Sequence, residues 1–149
     1  MKLRSWQAEA FPLWWDKQQG IIKVVTGGGK TFFAIHCIKE YIKAFPEKDI
    51  LIVVPSIALL DQWNEALLEN NVNQEIVLNG GGEKVDKSAK IIVTTIDSLK
   101  NILGIVNAEN SLLIVDECHK IGTEKRGDML NNNWSATLGL SATPERDYD

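Results

Sequence analysis

Cysteine is scarce in this chain. Cys37 and Cys118 are too few and too far apart for a disulfide framework or a four-ligand zinc site, and His36 and His119 do not complete one. Long apolar runs are also missing: nothing approaches the roughly 18 consecutive apolar residues of a membrane span. The opening MKLRSWQAEAF has no apolar block of the signal-peptide kind. The chain therefore reads as soluble, unexported and cytoplasmic, with no membrane partner. Excess positive charge is absent too. A net charge of -4 gives no general electrostatic footprint for nucleic acid, so any such binding falls to a local surface. Internal repeats and low-complexity tracts are lacking as well. What remains, at 149 residues, is one domain's length of chain with enough apolar content for a core of its own.

What is present alternates. Short apolar, β-branched runs recur at IIKVV (21–25), ILIVV (50–54), EIVL (75–78), KIIVT (90–94), LLIV (112–115) and TLGL (137–140). Most are apolar throughout, which suits strands buried on both faces of a parallel sheet. Between them the spacing turns helical, with Phe33, Ile35, Ile38, Tyr41, Ile42 and Phe45 after the first run. Leu59, Leu60, Trp63, Leu67 and Leu68 follow the second, and Ile96, Leu99 and Leu103 the fourth. A further amphipathic helix comes first, with Trp6, Ala10, Leu13 and Trp14 expected on one face. Alternating strand and helix predicts a doubly wound α/β domain. The polar segment GTEKRGDMLNNNW (122–134) fits a short helix or a loop.

Two stretches carry chemistry. VVTGGGKTFF (24–33) lies between a predicted strand and a predicted helix, where backbone N–H groups and the helix dipole favour an anion. In that setting Lys30 would sit on the β- and γ-phosphates of a nucleotide, and the Thr31 hydroxyl on Mg2+. The pattern G-x-x-x-x-G-K-[ST] asks for glycine where Val24 stands, so a glycine turn with a solvated lysine is the competing reading. In LLIVDECHK (112–120) an apolar strand ends in adjacent acids at the carboxyl edge of the sheet. There Asp116 would hold the metal and Glu117 would polarise an attacking water, against the alternative of two solvated acids.

TGGGKT, DECH and SATPER, in this order and each behind a strand-like run, resemble motifs I, II and III of superfamily 2 helicases and translocases in the DExH branch. LRSWQ (3–7), VVPSIALLDQW (53–63) and VTTIDSL (93–99) are similar to three further elements of these motors, and the QW ending points to the type III restriction subunit and XPB-type group. The resemblance covers Leu3 to Arg146. It implies a RecA-like P-loop NTPase domain over 1–149, with a mostly parallel twisted sheet and helices on both faces, and a second RecA-like domain as partner. It also accounts for Val24, since the working core in this superfamily is T-G-x-G-K-[ST], which Thr26 to Thr31 satisfies.

By the same resemblance ATP with Mg2+ would lie on Thr26, Gly27, Gly28, Gly29, Lys30 and Thr31, with Gln7 at the adenine edge and Arg4 supporting the pocket. Lys30, Asp116 and Glu117 would be catalytic, and Thr31 and Asp116 would hold the metal. His119, Ser141, Ala142 and Thr143 would couple the ATP site to the nucleic-acid surface; Ser141 and Thr143 could instead merely cap a turn. Pro55, Ser56, Thr94 and Thr95 would touch a nucleic-acid backbone, DNA being preferred on resemblance alone, although Ser56 also fits a plain helix cap. Cys118 occupies the variable position of the box and is read as packing.

Among the five tryptophans, Trp6 and Trp63 fall on apolar helical faces and are read as core, while Trp15 and Trp134 are open between packing and base stacking. The motors this chain resembles take an arginine from their second domain. Arg126 and Arg146 do not match that finger, so the chain alone is expected to bind nucleotide weakly and hydrolyse it very slowly. Two other classes stay open on the residues alone: a P-loop switch or small-molecule kinase with no nucleic-acid role, and a non-catalytic binding module. An RNA helicase domain is the alternative within the family.

Overall fold

A computed structural model of the chain describes residues 3–25, 29–80, 89–118 and 133–143. Six strands run β1 (Ile21–Val25), β2 (Asp49–Val54), β3 (Ile76–Asn79), β4 (Ile91–Thr95), β5 (Ser111–Asp116) and β6 (Ala136–Thr143). The α-helices are α1 (Ser5–Lys17), α2 (Lys30–Ala44) and α3 (Ile57–Glu69). The strands form one sheet in the order β1-β6-β5-β2-β4-β3, and every pairing is parallel. The chain starts at one edge, crosses by α2 to the interior strand β2, reaches the far edge by α3, and then fills the gaps. Every strand therefore ends at the same side of the sheet, where the loops gather.

Alternation along the strands makes two cores. Ile50, Ile52 and Val54 of β2 join Leu112 and Ile114 of β5 and Leu138 and Leu140 of β6 on the face covered by α1, α2 and α3. Leu51, Val53, Leu113 and Val115 face the other way, under a 3-10 helix (Ile96–Asn101) and the turns that follow it. That segment was expected as an α-helix. Ile96, Leu99 and Ile102 recur at a spacing of three, which stacks them on one side of a 3-10 helix. The Thr95 hydroxyl closes its first turn by accepting from Ser98 N at 3.2 Å.

Helix α1 forms as expected and packs by Trp6, Ala10 and Trp14, with the Trp6 ring 5.3 Å from that of Phe33 between centroids, but Leu13 departs from the expected face. Leu13 is 73% exposed, whereas Gln7 and Trp14 are buried and Ala10, Phe11 and Trp15 pack between them and α2. Gln7, Ala10, Phe11 and Trp14 form an i, i+3, i+4, i+7 stripe, and Leu13 lies off it. The Trp14 indole N–H donates to Thr137 O at 2.8 Å, which fastens α1 to β6. Trp15 stacks on Phe45 with ring centroids 6.2 Å apart, and Trp134 is buried in the second core, so both pack. Cys37 is fully enclosed within α2's core face, and burial pushes its thiol far above the usual range. Most of the polar segment at 122–134 lies outside the described residues.

Candidate nucleotide site

The site is built where β1 and β5 end beneath the start of α2. Thr26, Gly27 and Gly28 lie outside the described residues; the loop is described again from Gly29, which caps α2 with φ 88°. An L side chain rarely adopts that angle. A Cβ there would also stand 2.9 Å from Gln7 Nε2 and 3.4 Å from the Arg4 guanidinium carbon. Helix α1 is thus seated directly on the loop.

Gln7 makes that contact. Its Oε1 accepts from Arg4 N at 2.7 Å and its Nε2 donates to Gly29 O at 2.9 Å, with the side chain fully enclosed. The partners fix the amide's orientation, a donor on one side and a carbonyl on the other. The residue expected at the adenine edge is therefore beside the loop, but both of its amide atoms are engaged by protein. Arg4 is exposed beside Gly29.

Asp116 is the sixth residue of β5 and shares the parity of Leu112 and Ile114, so it faces the side covered by α2 and α3. There the Lys30 ammonium, on the first residue of α2, donates to Asp116 Oδ1 and lies 3.2 Å from Glu117 Oε2. A single cation thus sits between two adjacent carboxylates that would otherwise repel each other. Asp116 is only 2% exposed, and its second oxygen accepts from the Trp63 indole at 2.9 Å. Glu117 takes φ 52°, a left-handed conformation that costs a glutamate about 1–3 kcal/mol and persists only where its surroundings hold it. Cys118, read as packing, lies against Gly139, where an added Cβ would come within 3.3 Å of its sulfur.

Among the described residues no group of three or more His, Cys, Asp or Glu side chains gathers into a metal cage. The oxygens on offer are the Asp116 carboxylate and the Thr31 hydroxyl in the first turn of α2. That donor set fits Mg2+, a hard cation usually held by one or two protein oxygens together with substrate phosphates and water.

The remaining expected residues divide. Leu140 lies in register with Asp116, and Ser141, Ala142 and Thr143 continue β6 beside Lys23, Val24 and Val25 of β1. They stand next to the acids, with Ser141 buried and Ala142 half-buried. His119 lies outside the described residues. Pro55 is half-buried; Ser56 is exposed, caps α3 in extended conformation and makes no side-chain cap bond. Thr94 is different. It is completely buried, its hydroxyl donating to Asn79 O and accepting from Asn79 Nδ2, both at 3.1 Å. The Thr94 hydroxyl is thus engaged within the protein. Thr95 is nearly as buried and caps the 3-10 helix.

Two contributors were not anticipated. Asn79, directly after the apolar run at 75–78, ends β3 in the interior. Trp63 was read as core only; its helical spacing from Leu60 and Leu67 announces burial and says nothing about the partner of its N–H.

A glycine-capped helix above a parallel sheet, with its first lysine on two acids at a strand end, defines an α/β domain of the P-loop kind. The chain belongs to the family described as Type III restriction enzyme, res subunit, which it matches over residues 1–146. It is 36% identical over 148 residues to the DNA 3'-5' translocase XPB2 of Sulfurisphaera tokodaii, covering 99% of this chain and 32% of that protein. It is 28% identical over 154 residues to a putative DNA 3'-5' helicase Rad25 of Halobacterium salinarum, covering 24% of it. The chain therefore spans about a third or less of these relatives. The fold is also that of the UvsW helicase of bacteriophage T4, with a TM-score of 0.80 at 21% identity over 96% of this chain and 53% of the other. The Pyrococcus furiosus Hef helicase domain gives 0.77 at 22%, over 97% and 34%. The architecture is that of a RecA-like domain.

Proposed function

We propose that this chain is the ATP-binding domain of a DNA helicase or translocase, and that in the intact protein a second RecA-like domain closes over the site described above. The observation that carries this reading is the placement of Lys30, at the head of α2, against Asp116 and Glu117 at the end of β5. No packing role requires a lysine between two carboxylates at the mouth of a glycine loop. Nucleotide phosphate arriving at the α2 N-terminus would draw Lys30 away from the acids. Asp116, with Thr31, would then hold the metal, and Glu117 would orient a water molecule and take its proton. Mg2+, when bound, neutralises charge developing on the phosphoryl oxygens. Positioning and electrostatics carry this class of reaction, and this chain supplies both for one side of the nucleotide.

DNA as the track is supported by the relatives' own descriptions and by the surface at the start of α3. There Ser56 presents an exposed hydroxyl unused in capping, and the helix N-terminus presents N–H groups suited to a backbone phosphate. Ser141, Ala142 and Thr143, lying between the acids and β1, are the residues through which nucleotide state would reach that surface, together with His119.

Calorimetric titration of the chain with ATP and Mg2+ tests the site. Lys30→Ala is expected to weaken binding by at least about tenfold, the loss of a charge-assisted bond of about 1.5–3 kcal/mol. Equal affinity of the two proteins would overturn the assignment.

A further inference from the structure

Trp63 lies outside the loop and strand ends that make the nucleotide site, in the middle of α3. Its ring is fully enclosed, among the largest buried side chains of the domain. A buried indole N–H needs an acceptor. Many could serve, including backbone carbonyls, but the one it has is Asp116 Oδ2, at 2.9 Å and across 53 residues of sequence. The other oxygen, Oδ1, receives Lys30 from the first turn of α2. The carboxylate is thus gripped from two helices. The two donors differ in kind: Lys30 carries a charge that a divalent cation would displace, whereas the indole is neutral and can keep its bond while the cation binds.

We propose that Trp63 is a positioning residue for Asp116, its N–H fixing Oδ2 so that Oδ1 is turned toward the divalent cation that accompanies the nucleotide. This rests on the nucleotide-site reading given above. A carboxylate with one oxygen fixed has its plane and its free lone pairs set in advance. Partners that orient a metal ligand in this way are worth about 10- to 100-fold in metal affinity. A tryptophan present for volume alone would influence stability but not the cation.

The test is ATP titration of the 149-residue chain by calorimetry, once with Mg2+ and once with EDTA, below each variant's melting temperature. Trp63→Phe is expected to lose about 10- to 100-fold of the affinity gained from Mg2+ while its EDTA affinity stays within about twofold of the parent. Leu67→Ala, a buried neighbour one turn along α3 that cannot hydrogen-bond to Asp116, serves as the packing control and is expected to keep the gain. Retention of the gain in Trp63→Phe, its equal loss in Leu67→Ala, or its absence from the parent chain would overturn the proposal. If the parent chain shows no ATP affinity at all, or Lys30→Ala binds equally, the site reading fails instead.

A second measurement needs neither nucleotide nor a folded Trp63 variant. Among the five indole N–H resonances, that of Trp63, assigned by through-bond and through-space spectra, is expected to exchange slowly with solvent and to shift in Asp116→Asn. A fast-exchanging resonance indifferent to that substitution sinks the idea on its own.

Discussion

Ser56 and Thr94 both carry hydroxyls at the carboxyl edge of the sheet, on neighbouring strand ends, and both resembled phosphate contacts. Their surroundings separate them. Thr94→Val removes a hydroxyl that bonds to Asn79 twice and leaves buried amide atoms with less to hold, so it is expected to cost about 1–3 kcal/mol in denaturant unfolding. Single-strand DNA affinity should be unchanged. Ser56→Ala should do the reverse: stability within about 0.5 kcal/mol, and DNA affinity by fluorescence anisotropy lower by about 0.5–1.5 kcal/mol, the net value of one hydrogen bond. A threonine at a strand end is legible in sequence; the side of the strand edge that is open to solvent is not.

Elements were easier to read than single side chains, because periodicity sums over many residues. All six strands and three α-helices occur where the apolar runs and helical spacings put them, and α1 shows where that evidence stops. Trp6, Ala10, Leu13 and Trp14 make a plausible apolar stripe, but a polar residue, Gln7, takes a buried place because Gly29 O and Arg4 N satisfy its amide. Hydrophobicity alone cannot report a satisfied buried amide. Trp14→Ala is expected to destabilise the domain by about 3–5 kcal/mol, and Leu13→Lys by no more than about 0.5, as thermal melts of the two variants would show. A Leu13→Lys variant that melted as early as Trp14→Ala would put α1 in the wrong rotation.

At the scale of the whole molecule, one sheet with every strand parallel brings the ends of β1, β2, β5 and β6 to a single edge, so residues far apart in sequence share one site. On the function proposed above, a second domain completes that site. With an arginine from a partner domain worth about 10^3- to 10^5-fold in rate, the chain alone should turn over ATP slower by that factor than a parent protein carrying the second RecA-like domain. A coupled assay on both, with Lys30→Ala as the background, checks this; matching rates would mean that the chain holds a complete site. The sequence by itself determined the α/β alternation, the glycine loop with its lysine and the acids at the end of β5, since each depends on local spacing along the chain. Only the tertiary structure decided that Lys30 bridges those acids, that Gln7 seats α1 on the loop, that the Thr94 hydroxyl faces inward and that the Trp63 indole reaches Asp116. These are contacts between elements, fixed by strand parity and helix rotation, and no window of sequence contains both partners.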